Sequence, residues 1–306
     1  MKIGLMVPLP ASMPAPLAIV EQIVNAESLG FRSVWVPNVF GSDALTVLAL
    51  AGTRTSTIEL GTLVVPTYPR HPTALAQQAL TTNALAHGRL TLGIGVSHRV
   101  RMETMLGFDY DRPIRHLREY LAALRPLLRG ESTVLRGEEY HIDGYALTIP
   151  GAPPPQVLVA ALGPQMLRLT GRLAEGTAIY LAGPTYLREH AVPVIAEAAS
   201  KAGRPTPRIL TSLPVCVTNR VEEAREQANR ALGHFGEYPS YRAILEKEGA
   251  GSIADVALIG TADEVHAGIQ ELVKAGATDL VASVFTLPDE DPAPTYDLLR
   301  EYAMTG

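Results

Sequence analysis

The chain has a single cysteine, Cys216, in 306 residues. That excludes an intrachain disulfide framework and a cysteine-rich metal site, and it fits a reducing compartment. Charge is also sparse: 19% of residues are Asp, Glu, Lys or Arg, with a net charge of −5. An acidic chain of this kind is poorly suited to tracking phosphates, so nucleic acid is not an expected partner. Lysine is nearly absent. Only Lys2, Lys201, Lys247 and Lys274 are present among 26 basic residues. No apolar run reaches the roughly 18 residues of a membrane span. The N-terminal apolar stretch is broken by Pro8, Pro10, Pro14 and Pro16, which argues against a signal peptide. What remains, at 47% apolar and 6% aromatic residues, is a folded cytoplasmic protein.

Short apolar runs alternate with amphipathic ones. Eight runs predict strands: Ile3–Val7, Ser33–Val36, Ile58–Val65, Leu90–Val96, Val157–Leu162, Thr177–Leu181, Ile209–Val217 and Asp279–Phe285. Most are continuously apolar, as parallel strands covered on both faces require. Between them, Ile114, Leu117, Leu121, Leu124 and Leu128 fall on one face of a helix. Ile19, Val20, Ile23 and Val24 do the same, with Gly30 placed to end that helix. Val265, Ile269, Leu272 and Val273 predict the last helix before the eighth strand. Eight such units predict a (β/α)8 barrel, read as one domain over 1–306. Two excursions interrupt it. Residues 131–155 read as a hairpin about Gly137-Glu138-Glu139, and residues 222–255 as a helix with a polar, glycine-bearing tail.

A barrel of this type carries its active site at the C-terminal strand ends. Those ends hold no cluster of carboxylates or histidines and no lysine, so no glycosidase pair, metal site or Schiff-base lysine is expected. Gly-x-Ser-x-Gly, Walker and His-Glu-x-x-His motifs are absent as well. A neutral mouth rich in Gly and Pro suits an organic cofactor that supplies the difficult chemistry. After the fifth run, Gly163-Pro164-Gln165-Met166 opens a helix whose first N–H groups could meet a phosphate. Gly93 and Gly95 would let a flat ring approach the backbone of the fourth strand. His98 directly follows that strand and is the candidate for proton transfer, or else a loop histidine held by hydrogen bonds. His71, before Pro72, and His87, before Gly88, read as structural.

The stretch from Leu60-Gly61-Thr62-Leu63-Val64-Val65-Pro66-Thr67-Tyr68-Pro69-Arg70-His71-Pro72 through Ala76-Gln77-Gln78 to Gly88-Arg89-Leu90-Thr91-Leu92-Gly93-Ile94-Gly95 closely resembles the luciferase-like monooxygenase superfamily. The likeness is specifically to its coenzyme F420 (deazaflavin)-dependent oxidoreductase branch. Tyr110-Asp111-Arg112-Pro113, Ala161-Leu162-Gly163-Pro164 and Ala275-Gly276-Ala277-Thr278-Asp279 extend the resemblance over essentially the whole chain. It implies a homodimer acting on a small molecule. Leu63, Val64, Val65, Pro66 and Thr67 would back the deazaflavin, with Gly95 and Ser97 beside it. A non-prolyl cis peptide would fall near Leu63-Val64. Gly163, Gln165 and Met166 would bind the coenzyme phosphate.

Departures from the family pattern redirect the substrate. Sugar-phosphate oxidisers have an Asp-His pair where this chain has Asn38-Val39, a glutamate at His98 and a lysine at Gly183. Oxidation of a hexose phosphate is therefore not expected. Asn38 could still hydrogen-bond the cofactor or substrate. Val39, Tyr68 and Tyr180 are the candidate substrate-pocket residues. The implied reaction is hydride transfer at C5 of coenzyme F420. The alternatives are an FMN-dependent monooxygenase fed by a separate flavin reductase, or a non-catalytic ligand-binding member of the superfamily.

Overall fold

The eight apolar runs supply the strands of a closed parallel barrel in the computed structural model, which describes residues 1–7, 14–38 and 41–305. The strands in chain order are β1 (Lys2–Met6), β2 (Ser33–Val36), β3 (Glu59–Thr62), β4 (Val65–Pro66), β5 (Leu90–Gly95), β6 (Thr133–Arg136), β7 (His141–Tyr145), β8 (Gln156–Val159), β9 (Gly176–Tyr180), β10 (Arg208–Val217), β11 (Leu258–Gly260) and β12 (Asp279–Val284). Around the barrel the order is β1, β2, β3, β5, β8, β9, β10 and β12, which pairs back to β1. The predicted (β/α)8 architecture is therefore present. The long β10 pairs with β9 along its first half, and β11 lies beside its last residues.

Helices cover the outside through the faces their periodicity marks. Helix Pro113–Leu128 buries Leu117, Tyr120, Leu121, Leu124 and Leu128. Helix Pro16–Ser28 buries Ile19, Val20 and Ile23, and Gly30 follows it at φ +86°, a left-handed position that favours glycine. Helix Ala262–Lys274 starts with a reciprocal Thr261–Glu264 capping box and buries Val265, Ile269 and Leu272. Val273, placed on that face by its spacing, is instead 39% exposed. Inside the barrel, Met6, Trp35, Leu158, Ala178, Leu210 and Val281 form an axial cluster. Gly61 is required there, because a β-carbon at that position would collide with the Trp35 ring.

Three local features differ from the sequence expectation. The third run is not one strand: it breaks between β3 and β4, around a cis Leu63–Val64 peptide that falls where the family resemblance implies one. The fifth strand ends at Val159, three residues early, leaving 160–162 outside it. The tail of the second excursion is not irregular but contains a second helix, Pro239–Glu248, ended by Gly249 at φ +76°. The first excursion does form the predicted hairpin, β6 against β7. Its turn is held by the Glu119 carboxylate, which accepts from the backbone N–H groups of Glu138, Glu139 and Tyr140.

Candidate active site

The break in the third strand shapes one side of the mouth. Thr62 Oγ1 accepts from Gly93 N–H and donates to Gly93 C=O, both at 2.8 Å. A β-carbon at residue 93 would strike the Thr62 carbonyl, so this glycine admits the neighbouring strand rather than a ligand ring. At residue 95 a β-carbon would lie 3.0 Å from both Val64 and Ala160. Val64, Gly95 and Ala160 therefore form one continuous surface across three strand ends. Leu63, Val64 and Pro66 are half-buried along it, whereas Val65 and Thr67 are fully buried. Thr67 turns inward, its hydroxyl 2.9 Å from His116 Nε2.

His116 was not singled out in the sequence, although with Glu119 and Tyr120 it is one of the polar residues on the buried side of its helix. Its ring lies flat on Tyr68, with centroids 3.8 Å apart and planes 2° apart, and Tyr110 stacks on Tyr68 at 5.1 Å. Burial pushes the His116 pKa down to about 4, against the opposing pull of Glu119. Tyr68 is thus a half-buried ring clamped between its neighbours. Tyr110 also donates to the carbonyl of Ser97 at 2.8 Å. Ser97 itself holds φ +62°, and Leu181, at the end of β9, holds φ +59°. Two non-glycine residues in left-handed conformation, beyond the ends of β5 and β9 on either side of β8, mark the mouth as locally strained.

His98 stands where the sequence places it, just beyond β5, but its surroundings come from the second excursion. Its ring stacks on Tyr238 at 4.3 Å with 13° between planes, and Tyr241 lies 5.5 Å away. Arg101 covers the Tyr238 ring at 5.6 Å. Burial, with the Arg101 charge second, pushes the His98 pKa down to about 4, so the imidazole is neutral at pH 7. Phe235 and Tyr241 meet the edge of Tyr180, with centroids 5.3 and 6.4 Å away. The segment 233–248 is therefore an aromatic roof joining β5 to β9. Glu248 ties it down by accepting from the N–H groups of Thr185 (3.1 Å) and Tyr186 (2.6 Å).

The remaining candidates divide by position. Gly163 is the N-cap of the ten-residue helix Pro164–Leu173, with no side chain capping it and no atom within 4 Å of where its β-carbon would be. Gln165 is exposed, while the Met166 side chain is buried in the core and offers only its N–H to the opening. Asn38 is half-buried, its amide oxygen accepting from Ala44 N–H at 2.9 Å. Val39 lies outside the described residues. His71 caps its helix by accepting from Thr73 N–H, and His87 sits in a turn at φ +51°. Among the described residues no group of three or more His, Cys, Asp or Glu could hold a metal ion, and no helix is long and apolar enough to cross a membrane.

A closed (β/α)8 barrel with an apolar bulge, an open helix start and a neutral histidine at its mouth has the layout of an enzyme barrel, with its site at the C-terminal strand ends. More narrowly, the chain belongs to the luciferase-like monooxygenase family, whose model matches residues 1–279. It is 27% identical over 306 residues to the 5,10-methylenetetrahydromethanopterin reductase of Methanolobus tindarius, covering 90% of this chain and 93% of the relative. The coenzyme F420-dependent tetrahydromethanopterin reductase of Methanopyrus kandleri has the same fold, with a TM-score of 0.81 at 22% identity over 99% and 98% of the two chains. So does the oxygenating constituent of 3,6-diketocamphane monooxygenase from Pseudomonas putida in complex with FMN, with a TM-score of 0.73 at 21% identity over 98% and 96%.

Proposed function

We propose that the protein is a coenzyme F420-dependent oxidoreductase, transferring a hydride between C5 of the deazaflavin and a small or medium organic substrate. The observation that carries this reading is the surface running from Leu63 and Val64 through Gly95 to the uncapped helix start at Gly163. An apolar ledge ending at free backbone donors fits a flat ring whose tail carries a phosphate. The reductase from Methanolobus tindarius, alike over nearly its whole length, supports an oxidoreductase; the reductase from Methanopyrus kandleri, which has the same fold, is itself F420-dependent.

In this reading Leu63, Val64 and Pro66 back the ring, with Gly95 and Ser97 beside it. Val65 and Thr67 support that ledge from behind. The N–H groups of Gln165 and Met166, beyond Gly163, hold the phosphate, and Asn38 presents its amide to ring or substrate. The coenzyme, when bound, supplies or accepts the hydride. The chain orients the reactants, keeps water out with the aromatic roof, and manages a proton at His98. A neutral His98 accepts a proton from a substrate hydroxyl in the oxidative direction. In the reductive direction the proton returns to the substrate from His98, or from water in its place. The same reading expects a cytoplasmic homodimer.

The test is a calorimetric titration of the purified protein with coenzyme F420 and, separately, with FMN. The expected result is micromolar or tighter binding of coenzyme F420 and much weaker binding of FMN. The reverse preference would make this an oxygen-using monooxygenase that needs a flavin reductase. If neither bound, the chain would be a non-catalytic ligand-binding member of its family.

A further inference from the structure

We infer that the hydroxyls of Tyr180 and Tyr241 form a two-donor clasp for the carbonyl oxygen of a flat, apolar substrate seated under the aromatic roof. The inference rests on the reading of the mouth as a substrate pocket beside a hydride-carrying cofactor.

Tyr180 ends β9 and packs against the axial cluster together with Leu63 and Val64, the two residues of the bulge. Its ring therefore reaches the ledge on which the proposed reaction takes place. Tyr241 arrives from the roof, with its ring at 89° to that of Tyr180. Phe235 stands edge-on to both, at 5.3 and 5.2 Å, and closes the third side. The three rings thus pack edge to face on one another, and the aromatic surface they present suits a flat ring system over a flexible chain.

The polar side of the argument is the state of the two phenols. A buried tyrosine hydroxyl normally finds a partner. Nearby, Tyr186 donates to the Leu162 carbonyl at 2.6 Å and Tyr110 to that of Ser97. Neither Tyr180 nor Tyr241 has a hydrogen-bond partner among the described residues, and neither hydroxyl is sealed from solvent as that of Tyr120 is. Burial raises the pKa of both, so they remain protonated donors throughout the physiological range. Two neutral donors on an apolar wall complement an acceptor with two lone pairs, and a carbonyl oxygen is the simplest such group. The donors would polarise a ketone or aldehyde for reduction.

The experiment compares two probes of one shape, 2-acetylnaphthalene and 2-ethylnaphthalene, binding to the wild-type protein, Tyr180→Phe and Tyr241→Phe. Calorimetry should show wild type binding the ketone about ten-fold more tightly than the hydrocarbon. Each variant should lose several-fold in ketone affinity while keeping its hydrocarbon affinity. The infrared carbonyl band of the bound ketone should lie below its free position in wild type and shift back toward it in both variants. A purely structural tyrosine would not move that band. Equal affinity of wild type for the two probes, no ketone binding, or an unchanged band in both variants would overturn the inference. So would a loss of coenzyme F420 affinity in the variants, which would assign the clasp to the coenzyme instead. Failure of wild type to bind coenzyme F420 refutes the cofactor reading alone, and the ketone measurements then decide the clasp by themselves.

Discussion

The two ends of the barrel treat their polar groups in opposite ways. At the floor, where the strands begin, the Arg208 guanidinium forks between Glu59 Oε1 (2.5 Å) and Asp279 Oδ1 (2.6 Å) and lies 5.4 Å from the Trp35 ring. Thr91 donates to Glu59 and Thr278 to Asp279, each at 2.6 Å. These partly buried charges answer one another. At the mouth, His98 is held neutral, two phenols lack partners among the described residues, and the helix start at Gly163 is uncapped. One end thus closes its electrostatics internally, and the other leaves donors available to a ligand. In this fold the closed end carries stability and the open end chemistry.

Mutation of the floor should produce the largest effect. Arg208→Leu leaves Glu59 and the buried Asp279 without their cation, at an expected cost of about 3–5 kcal/mol in unfolding free energy. Urea denaturation would measure it, and a loss below about 1 kcal/mol would show that the network is not structural. Acid probes the other end. His98 and His116 have folded pKa values of about 4 against an ordinary 6.5, so the unfolded chain binds more protons. Stability should therefore be full above about pH 6.5 and fall as the pH drops toward 4, by about 2 kcal/mol per histidine at pH 5. His116→Phe should remove part of that slope, and a flat profile from pH 7 to 5 would contradict the neutral assignment.

His98→Ala comes next. If the imidazole handles the proton, turnover should fall about 100-fold while coenzyme affinity changes by less than about two-fold. Unchanged turnover would move the proton to water. The smallest effect belongs to the roof tether. Glu248→Gln keeps one acceptor for Thr185 and Tyr186 but loses the charge, and should cost about 1 kcal/mol or less. Hydrogen exchange should nevertheless quicken in 233–248 and not at the floor.

Much of this contrast was legible in the sequence, and its limits have physical causes. The eight strands were visible because both faces of each are covered, which writes continuous apolar runs. Gly163-Pro164 announced its helix start through the local preferences of those two residues. The break at residues 63–64 was not legible in the local pattern, where Leu63, Val64 and Val65 read as uninterrupted strand; only the family resemblance pointed to a cis peptide there, and Thr62 bridges to Gly93 beside it. The roof was obscured by Gly233, Gly236 and the charges around them. Pro239, followed by Tyr241, Ile244 and Leu245 and ended by Gly249, was the available signal of its helix. The depressed pKa of His98 depends on rings contributed more than 130 residues later in the chain, which no local pattern records.

Trp35 is the only tryptophan in the chain, and it sits in the axial cluster against which Leu63, Val64 and Tyr180 pack. The barrel thus contains one indole emitter, fixed on its axis between the charged floor and the open mouth. A chromophore settling on the bulge would come close to that single emitter and quench it by energy transfer. Occupancy of the mouth can therefore be followed optically in the native chain, with no label attached and no second tryptophan to confuse the signal.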